Sequence, residues 1–287
     1  MEKDKENIEN FSESYSVIES LHKKENDELL IIKYNTIDKV NKNNLYLMKR
    51  LEVKTEEDKN KFVDQIKILI KIKCNYIIKI YDFFFEHINE KEFLCIILEY
   101  IEENNNIKNK LIENFFNSRN IWKFFVEIVI GLKALNDNNI LIDNLNPENI
   151  YLDKYNNFKI GGIGKLLDIN KEKEIGIIDD IWKYQSPEIL NGEKNDETSS
   201  IWSLGCIIYE IAFKKAAFDS KKNILDIIYN IPEDSDPDLS ILLKNLICKK
   251  VNRKNIKDLM FDQIFKKKLV EMNLFNENIP HDMKSKF

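Results

Sequence analysis

Glycine and proline are missing from the first 130 residues of this 287-residue chain; all seven glycines and all five prolines come later. A segment without glycine cannot build a phosphate-cradling loop of the glycine-rich kind, where the backbone must approach an anion with no Cβ in the way. Histidine is scarce: His22, His87 and His281 stand alone, with no spacing that gathers a metal. The four cysteines, Cys74, Cys95, Cys206 and Cys248, lie far apart in apolar surroundings, so reduced thiols are expected rather than a disulfide framework. No apolar run approaches the ~18 residues of a membrane span, and Met1-Glu2-Lys3-Asp4 does not open like a signal peptide. Nor are basic residues in excess. With 44 basic and 49 acidic residues the net charge is −5, which argues against nucleic acid or an anionic membrane as partner. The compartment these features point to is the cytoplasm or nucleus.

Hydrophobic residues make up 43% of the chain and charged residues 32%, the balance of a soluble globular protein long enough for two lobes. Residues 1–14 are polar and charged and read as a flexible extension. Short runs rich in Ile, Leu, Tyr and Phe then predict strands over Tyr15–Leu21, Leu29–Ile37, Leu45–Val53, Tyr76–Phe85 and Phe93–Tyr100. Between the third and fourth, Thr55 is set as an N-cap before Glu56, Glu57 and Asp58, and Phe62, Ile66 and Leu69 follow at helical spacing. Residues 101–112 are polar and Asn-rich and read as a connection. A second helix is expected after Arg119, burying Phe125, Ile128, Val129, Leu132 and Leu135, followed by short strands at Ile150–Leu152 and Phe158–Ile160. Ile201–Glu210 is apolar nearly all round, as a core helix is. Further helical patterns cover 222–230, 238–249 and 255–266, and residues 269–287 read as a polar tail.

One stretch carries a family likeness. Leu141-Ile142-Asp143-Asn144-Leu145-Asn146-Pro147-Glu148-Asn149 resembles the catalytic loop of the eukaryotic protein kinases, H-R-D-L-x-x-x-N. Lys49 in Tyr46-Leu47-Met48-Lys49 is similar to the strand lysine that holds ATP phosphates. Leu98-Glu99-Tyr100 is similar to the gatekeeper and hinge. Gly161-Gly162-Ile163-Gly164 stands where the family has x-D-F-G, Ser186-Pro187-Glu188 where it has A-P-E, and Trp202…Gly205 where it has D-x-W-x-x-G. Tyr184–Ile189 and Lys215–Ser220 resemble the NIMA-related serine/threonine kinases in particular. The resemblance implies an α+β, bilobal fold over residues 15–268. It has a small lobe (15–100) with a five-stranded antiparallel sheet and one main helix, and a larger, mainly α-helical lobe (101–268).

The family's reactive groups do not carry over. The base position is Asn144, and an amide cannot take up a proton at neutral pH. The catalytic-loop lysine position is Asn146. The metal-binding aspartate position is Gly162, leaving Asn149 alone, and Mg²⁺ is usually held through carboxylates. The glycine-loop positions fall on His22, Lys24 and Asp27, and the helix glutamate that pairs the strand lysine on Gln65. Lys49 is therefore read as a strand lysine bonded to Gln65. Leu47 and Tyr151 are larger than the residues the family places around the adenine. Between Gly164 and Ser186 there is no serine or threonine, Asp143 replaces the arginine that receives an activating phosphate, and Ile181 replaces the threonine near the substrate. The four positions that stack between active kinase lobes fall on Leu69, Ile80, Ile142 and Ile163, all aliphatic. Glu188 and Arg253 stand where the family has a buried ion pair, while Ser200 in place of aspartate puts the usual tie on the catalytic loop in doubt.

The resulting expectation is a pseudokinase, a scaffold or allosteric regulator with no catalytic residue in working order and no cofactor. Its partner would be a protein, such as an active kinase or a signalling complex. The alternative is an atypical, weakly active ATP-dependent serine/threonine kinase. That reading uses Lys49 and Asn149 with carboxylates relocated from Asp153 or Asp168; Lys49, Glu99 and Asn149 are the vestigial cofactor-binding positions that the resemblance implies.

Overall fold

The computed structural model describes residues 15–23, 27–34, 45–142, 144–162 and 180–274. They divide into two compact units. One takes the described residues up to Lys71 together with Ile78–Ile101; the other takes Ile72–Ile77 and the chain from Glu102 onward.

The smaller unit is a five-stranded antiparallel sheet: β1 (Tyr15–Lys23), β2 (Asp27–Tyr34), β3 (Leu45–Val53), β4 (Ile80–Ile88) and β5 (Lys91–Glu99), in the order β1-β2-β3-β5-β4. Asn89 and Glu90, both at positive φ, turn β4 into β5 with the two-residue geometry that suits the twist of a hairpin. One face carries Leu30, Ile32, Met48, Phe84, Cys95 and Ile97 as a buried cluster. Irregularities in the β1 register let the sheet curl over this cluster. The two edge strands then meet. The Tyr15 ring on β1 lies 5.9 Å from Phe84 on β4, and its hydroxyl donates to Glu86 at 3.2 Å. Arg50 on β3 joins the same group, 3.0 Å from Glu86 and 2.5 Å from Glu28.

Helix α1 (Glu56–Lys71) begins at the expected cap, with the Asp58 N–H donating to the Thr55 hydroxyl at 3.1 Å. Phe62, Ile66 and Leu69 are its buried residues, as their spacing requires. Lys59 clips the helix to the sheet through Glu92 on β5 at 2.7 Å.

Strand β4 starts at Ile80, not at Tyr76, because Tyr76 and Ile77 are taken up by the larger unit. There the Ile160 N–H donates to the Tyr76 carbonyl at 2.8 Å, and Ile77 forms a parallel bridge with Ile160. The close approach needs Gly131, where a Cβ would stand 3.0 Å from that carbonyl and 2.9 Å from the Ile160 side chain.

In the larger unit the expected polar connection is partly helical. Asn106 caps α2 (Ile107–Ile112), accepting from the Asn109 N–H at 2.9 Å, and Ile107 is buried. Asn117 caps α3 (Ser118–Asn136), whose buried face includes the five expected residues. β6 (Ile150–Leu152) and β7 (Phe158–Ile160) form an antiparallel pair. Glu127 of α3 reaches this hairpin from a fully buried position. One carboxylate oxygen accepts the Phe158 N–H at 2.8 Å and the other pairs with Lys123, which also donates to the Asn156 carbonyl at 2.8 Å.

After α4 (Pro187–Leu190) comes the core helix α5 (Glu197–Phe213), capped by Asp196. Then follow α6 (Lys221–Asp226), α7 (Pro237–Leu246), α8 (Ile256–Phe261) and α9 (Gln263–Glu271). The single helix expected over 255–266 is two. Asp262 has extended backbone and its carboxylate accepts the Ile264 N–H at 2.8 Å, starting a new helix. That helix runs three residues past the expected boundary at 268, with Leu269 fully buried. Among the described residues no helix is long and apolar enough to cross a membrane.

Arg253 ties these helices together. Its guanidinium, with no exposed surface, contacts Glu188 of α4 at 2.5 Å, the Thr198 carbonyl of α5 at 3.0 Å and the Cys248 carbonyl at 2.9 Å, and lies 4.9 Å from the Trp202 ring. Burial alone would raise the Glu188 pKa, but hydrogen bonds and charge from Arg253, together with the backbone N–H of Glu188 itself, outweigh it and hold the carboxyl below its usual range.

Two outcomes test this packing. Arg253→Met leaves Glu188 buried without its partner and is expected to cost about 3–5 kcal/mol in urea unfolding; a loss below about 1 kcal/mol would deny the pair its anchoring role. The Glu127 carboxyl is pushed up to about 7, chiefly by burial, from an ordinary value of 4.5. Across that window the folded chain binds the extra proton, so the stability Glu127 contributes falls as pH rises. Measured against Glu127→Gln, the native chain is expected to lose about 3 kcal/mol of relative stability between these limits. A difference flat in pH would show that the carboxylate stays ionised throughout.

Candidate functional site

The larger unit brings four of the expected site residues together. Between α3 and β6 the chain runs through Ile142, which is buried, to Asn144; Asp143 lies outside the described residues. Asn146 is 3% exposed and ties the turn on both sides. Its amide oxygen accepts the Glu148 N–H at 2.8 Å, capping the 3-10 turn Pro147–Asn149. Its amide nitrogen donates to the Asn144 side-chain oxygen at 2.9 Å. Asn149 donates to the Asn144 carbonyl, also at 2.9 Å. Gly162 closes the group from the end of β7. It has φ +71°, and a Cβ there would stand 3.1 Å from the Asn149 amide carbon. Asn144, Asn146 and Asn149 are thus knitted by amide hydrogen bonds, and neither their side chains nor Gly162 ionises near neutral pH.

The loop is held from below as well. The Ser200 hydroxyl on α5 donates to the Ile142 carbonyl at 3.1 Å, and the Asn195 amide donates to the same oxygen at 3.2 Å. The tie placed in doubt by the loss of an aspartate at Ser200 exists with its polarity reversed, since the helix side now donates and the loop accepts. At the other end Glu148 pairs with Lys108 of α2 at 2.6 Å, and Asn106 bridges Tyr151. The Tyr184 hydroxyl donates to Glu210 at 2.5 Å, and burial pushes the Glu210 carboxyl above its usual range.

Asp153 is spoken for. It is 7% exposed and accepts the Tyr155 and Asn157 N–H groups at 2.8 Å each, with Lys159 at 3.8 Å. It shapes the β6–β7 turn; Asp168 lies outside the described residues. Among the described residues no group of three or more His, Cys, Asp or Glu side chains is placed to hold a metal.

Lys49, Gln65 and Glu99 belong to the smaller unit. Lys49 sits in the middle of β3, opposite Leu29 and Ile96, with Leu47 on the same face by strand alternation. The expected bond from Lys49 to Gln65 is not formed, because the Gln65 side-chain oxygen is buried and accepts no hydrogen bond among the described residues. A neutral amide lacks the charge that draws an ammonium to a glutamate at this position. Glu99 closes the end of the β4–β5 pair, its carboxylate accepting the Lys79 N–H at 3.2 Å while its own N–H donates to the Lys79 carbonyl at 2.8 Å. Of the four stacking positions, Leu69, Ile80 and Ile142 are buried, each within its own unit. Ile163, Lys24 and the side chains of His22 and Asp27 lie outside the described residues.

Restoring an aspartate at Gly162 tests how tightly the amide group is closed. Gly162→Asp places a Cβ against Asn149 at a positive φ, and is expected to lower stability by about 1–2 kcal/mol in thermal or urea unfolding. A variant as stable as the native chain would mean that Asn149 moves aside freely.

The geometry agrees with what the chain resembles. The protein kinase domain matches residues 34–270. Over 210 residues the chain is 27% identical to "Serine/threonine-protein kinase Nek7" of Arabidopsis thaliana, covering 72% of this chain and 35% of that protein. It is 29% identical over 174 residues to "Probable serine/threonine-protein kinase nek2" of Dictyostelium discoideum, covering 58% and 41%. With "Carbon catabolite-derepressing protein kinase" of Candida glabrata the figures are 27% over 229 residues, covering 77% and 36%. The chain therefore spans between 35% and 41% of the length of these relatives. With the kinase domain matched from 34 to 270, and the catalytic-loop turn built where its motif stands, the chain belongs to the eukaryotic protein kinases and resembles their NIMA-related serine/threonine branch.

Proposed function

We propose that this protein is a kinase-fold pseudokinase, acting as a scaffold or allosteric regulator through contacts with other proteins. The observation that supports it most is the closed amide group. The base position Asn144 spends its side-chain oxygen on Asn146, and Asn149 spends its amide nitrogen on the Asn144 carbonyl. Phosphoryl transfer needs positioned charge more than covalent chemistry, namely a carboxylate for the hydroxyl proton, carboxylates for Mg²⁺ and a lysine for the phosphate. At these positions the larger unit supplies three neutral amides and a glycine. The donor set does not fit Mg²⁺, whose sites draw on carboxylates. These parts act as a unit, so a single retained group does not sustain the reaction. In this reading the partner is a protein such as an active kinase or a member of a signalling complex, met in the cytoplasm or nucleus.

The rival reading is a weak ATP-dependent serine/threonine kinase working through Lys49 and Asn149, the two phosphate-site residues of family type that persist. Titration calorimetry of the full chain with ATP and Mg²⁺ separates the two. The expected result is no binding heat at millimolar nucleotide. Saturable Mg²⁺-dependent binding, with phosphorylation of a protein substrate that is lost in Lys49→Ala, would establish the rival.

A further inference from the structure

Beneath the catalytic-loop turn lies a small cavity of about 10 Å³, lined by Asn144, Leu145, Ser186, Asn195, Ser199 and Ser203 among others. Three serines belong to its polar lining, and two of them are buried with no partner among the described residues. Ser199, on the first turn of α5, is 5% exposed, and Ser186, the cap residue of α4, is 1% exposed; neither hydroxyl makes a hydrogen bond with the described residues. Ser186 lies close enough to Glu188 to help keep that carboxyl ionised, but not in hydrogen-bonding geometry. Ser203 is different: its hydroxyl donates to the Tyr184 carbonyl at 2.8 Å. A buried hydroxyl left unsatisfied costs about 1–3 kcal/mol, so two in the lining of one cavity call for a ligand.

The size and chemistry of the cavity restrict what that ligand is. A single water needs ~10–15 Å³ and two to four polar partners. The cavity meets the lower bound, and Ser186, Ser199, Asn144 and Asn195 bring polar atoms to its wall. Nothing larger fits. No ionised side chain lines it, so an ion would lie there without a counter-charge.

We propose that the cavity binds one ordered water. This water joins Ser199 on α5 and Ser186 at the start of α4 to the underside of the Asn144–Leu145 turn. It continues the tie that Ser200 and Asn195 make to the Ile142 carbonyl. Three small side chains, Ser186, Ser199 and Ser203, leave the space, and the water fills it with the hydrogen bonds that Ser186 and Ser199 are too short to make directly. Ser199 is then a positioning residue for the catalytic-loop turn, whether or not the turn is catalytic.

A crystal structure of the full chain, at a resolution that orders internal waters, and the variant Ser199→Ala together test this. We expect density for one water within hydrogen-bond distance of the Ser199 hydroxyl. In the variant the folding equilibrium constant should fall about tenfold, and amide hydrogen exchange at Asn144 and Leu145 should accelerate while that of the β6–β7 pair stays unchanged. Alanine favours a helix more than serine does, so propensity pushes the other way and cannot mimic the fall. In a dry cavity, removing an unsatisfied hydroxyl is neutral or stabilising; an unchanged or higher constant, or no density, overturns the proposal. Density in the native chain with unchanged exchange in the variant would reveal an adventitious water only and overturn the positioning role.

Discussion

Arg253 holds a permanent charge where its side chain has no exposed surface, and the larger unit is arranged to answer it. An arginine does not shed its proton to escape burial. Each of its donors must therefore find an acceptor, and those acceptors come from Glu188, Thr198 and Cys248, on three separate stretches of chain. The Trp202 ring takes one face of the guanidinium and stacks on Phe218 with its centroid 5.4 Å away. Satisfying one cation thus fixes α4 against α5 and both against the segment before α8. The constraint reaches the catalytic loop because α5, once fixed, carries Ser200 and Ser199 to its underside.

The loop shows what remains when a site's charges are replaced by amides. Asparagine both donates and accepts, so Asn144, Asn146 and Asn149 complete one another's hydrogen bonds. A set of carboxylate and ammonium groups at the same positions would be poised for a substrate; a set of amides is content with itself. The left-handed backbone at Gly162 belongs to the same outcome, since glycine alone takes it without strain and leaves room for Asn149. Below, the aspartate's replacement by serine reverses the direction of a hydrogen bond without losing the anchor.

Much of this was legible beforehand. Thr55 ahead of three acidic residues marked the start of α1, and the spacing of Phe62, Ile66 and Leu69 marked its buried face. Glu188 and Arg253, separated by 65 positions, could be paired only through family resemblance, and they do pair. Other features were hidden because local pattern and tertiary demand conflict. Tyr76 and Ile77 read as strand, yet they belong to the larger unit, where their backbone groups serve Ile160. The 101–112 stretch looked too polar for a helix until Asn106 capped it and Ile107 found a core. Nothing around Asp262 announced a break, because an aspartate acts as a cap only where the backbone around it is extended.

Residue type and spacing set the order of strands and helices, while the family resemblance supplied the positions that lack a base, a lysine and a metal carboxylate, and the pairing of Glu188 with Arg253. Where the freed hydrogen-bonding groups went follows from the folded chain. Asn144 turns to Asn146, Ser200 and Asn195 hold the Ile142 carbonyl, Asp153 is consumed by its own turn, and the Gln65 side-chain oxygen accepts no bond among the described residues. A hydrogen bond is a matter of distance and angle between groups far apart in the chain, and residue type alone fixes neither.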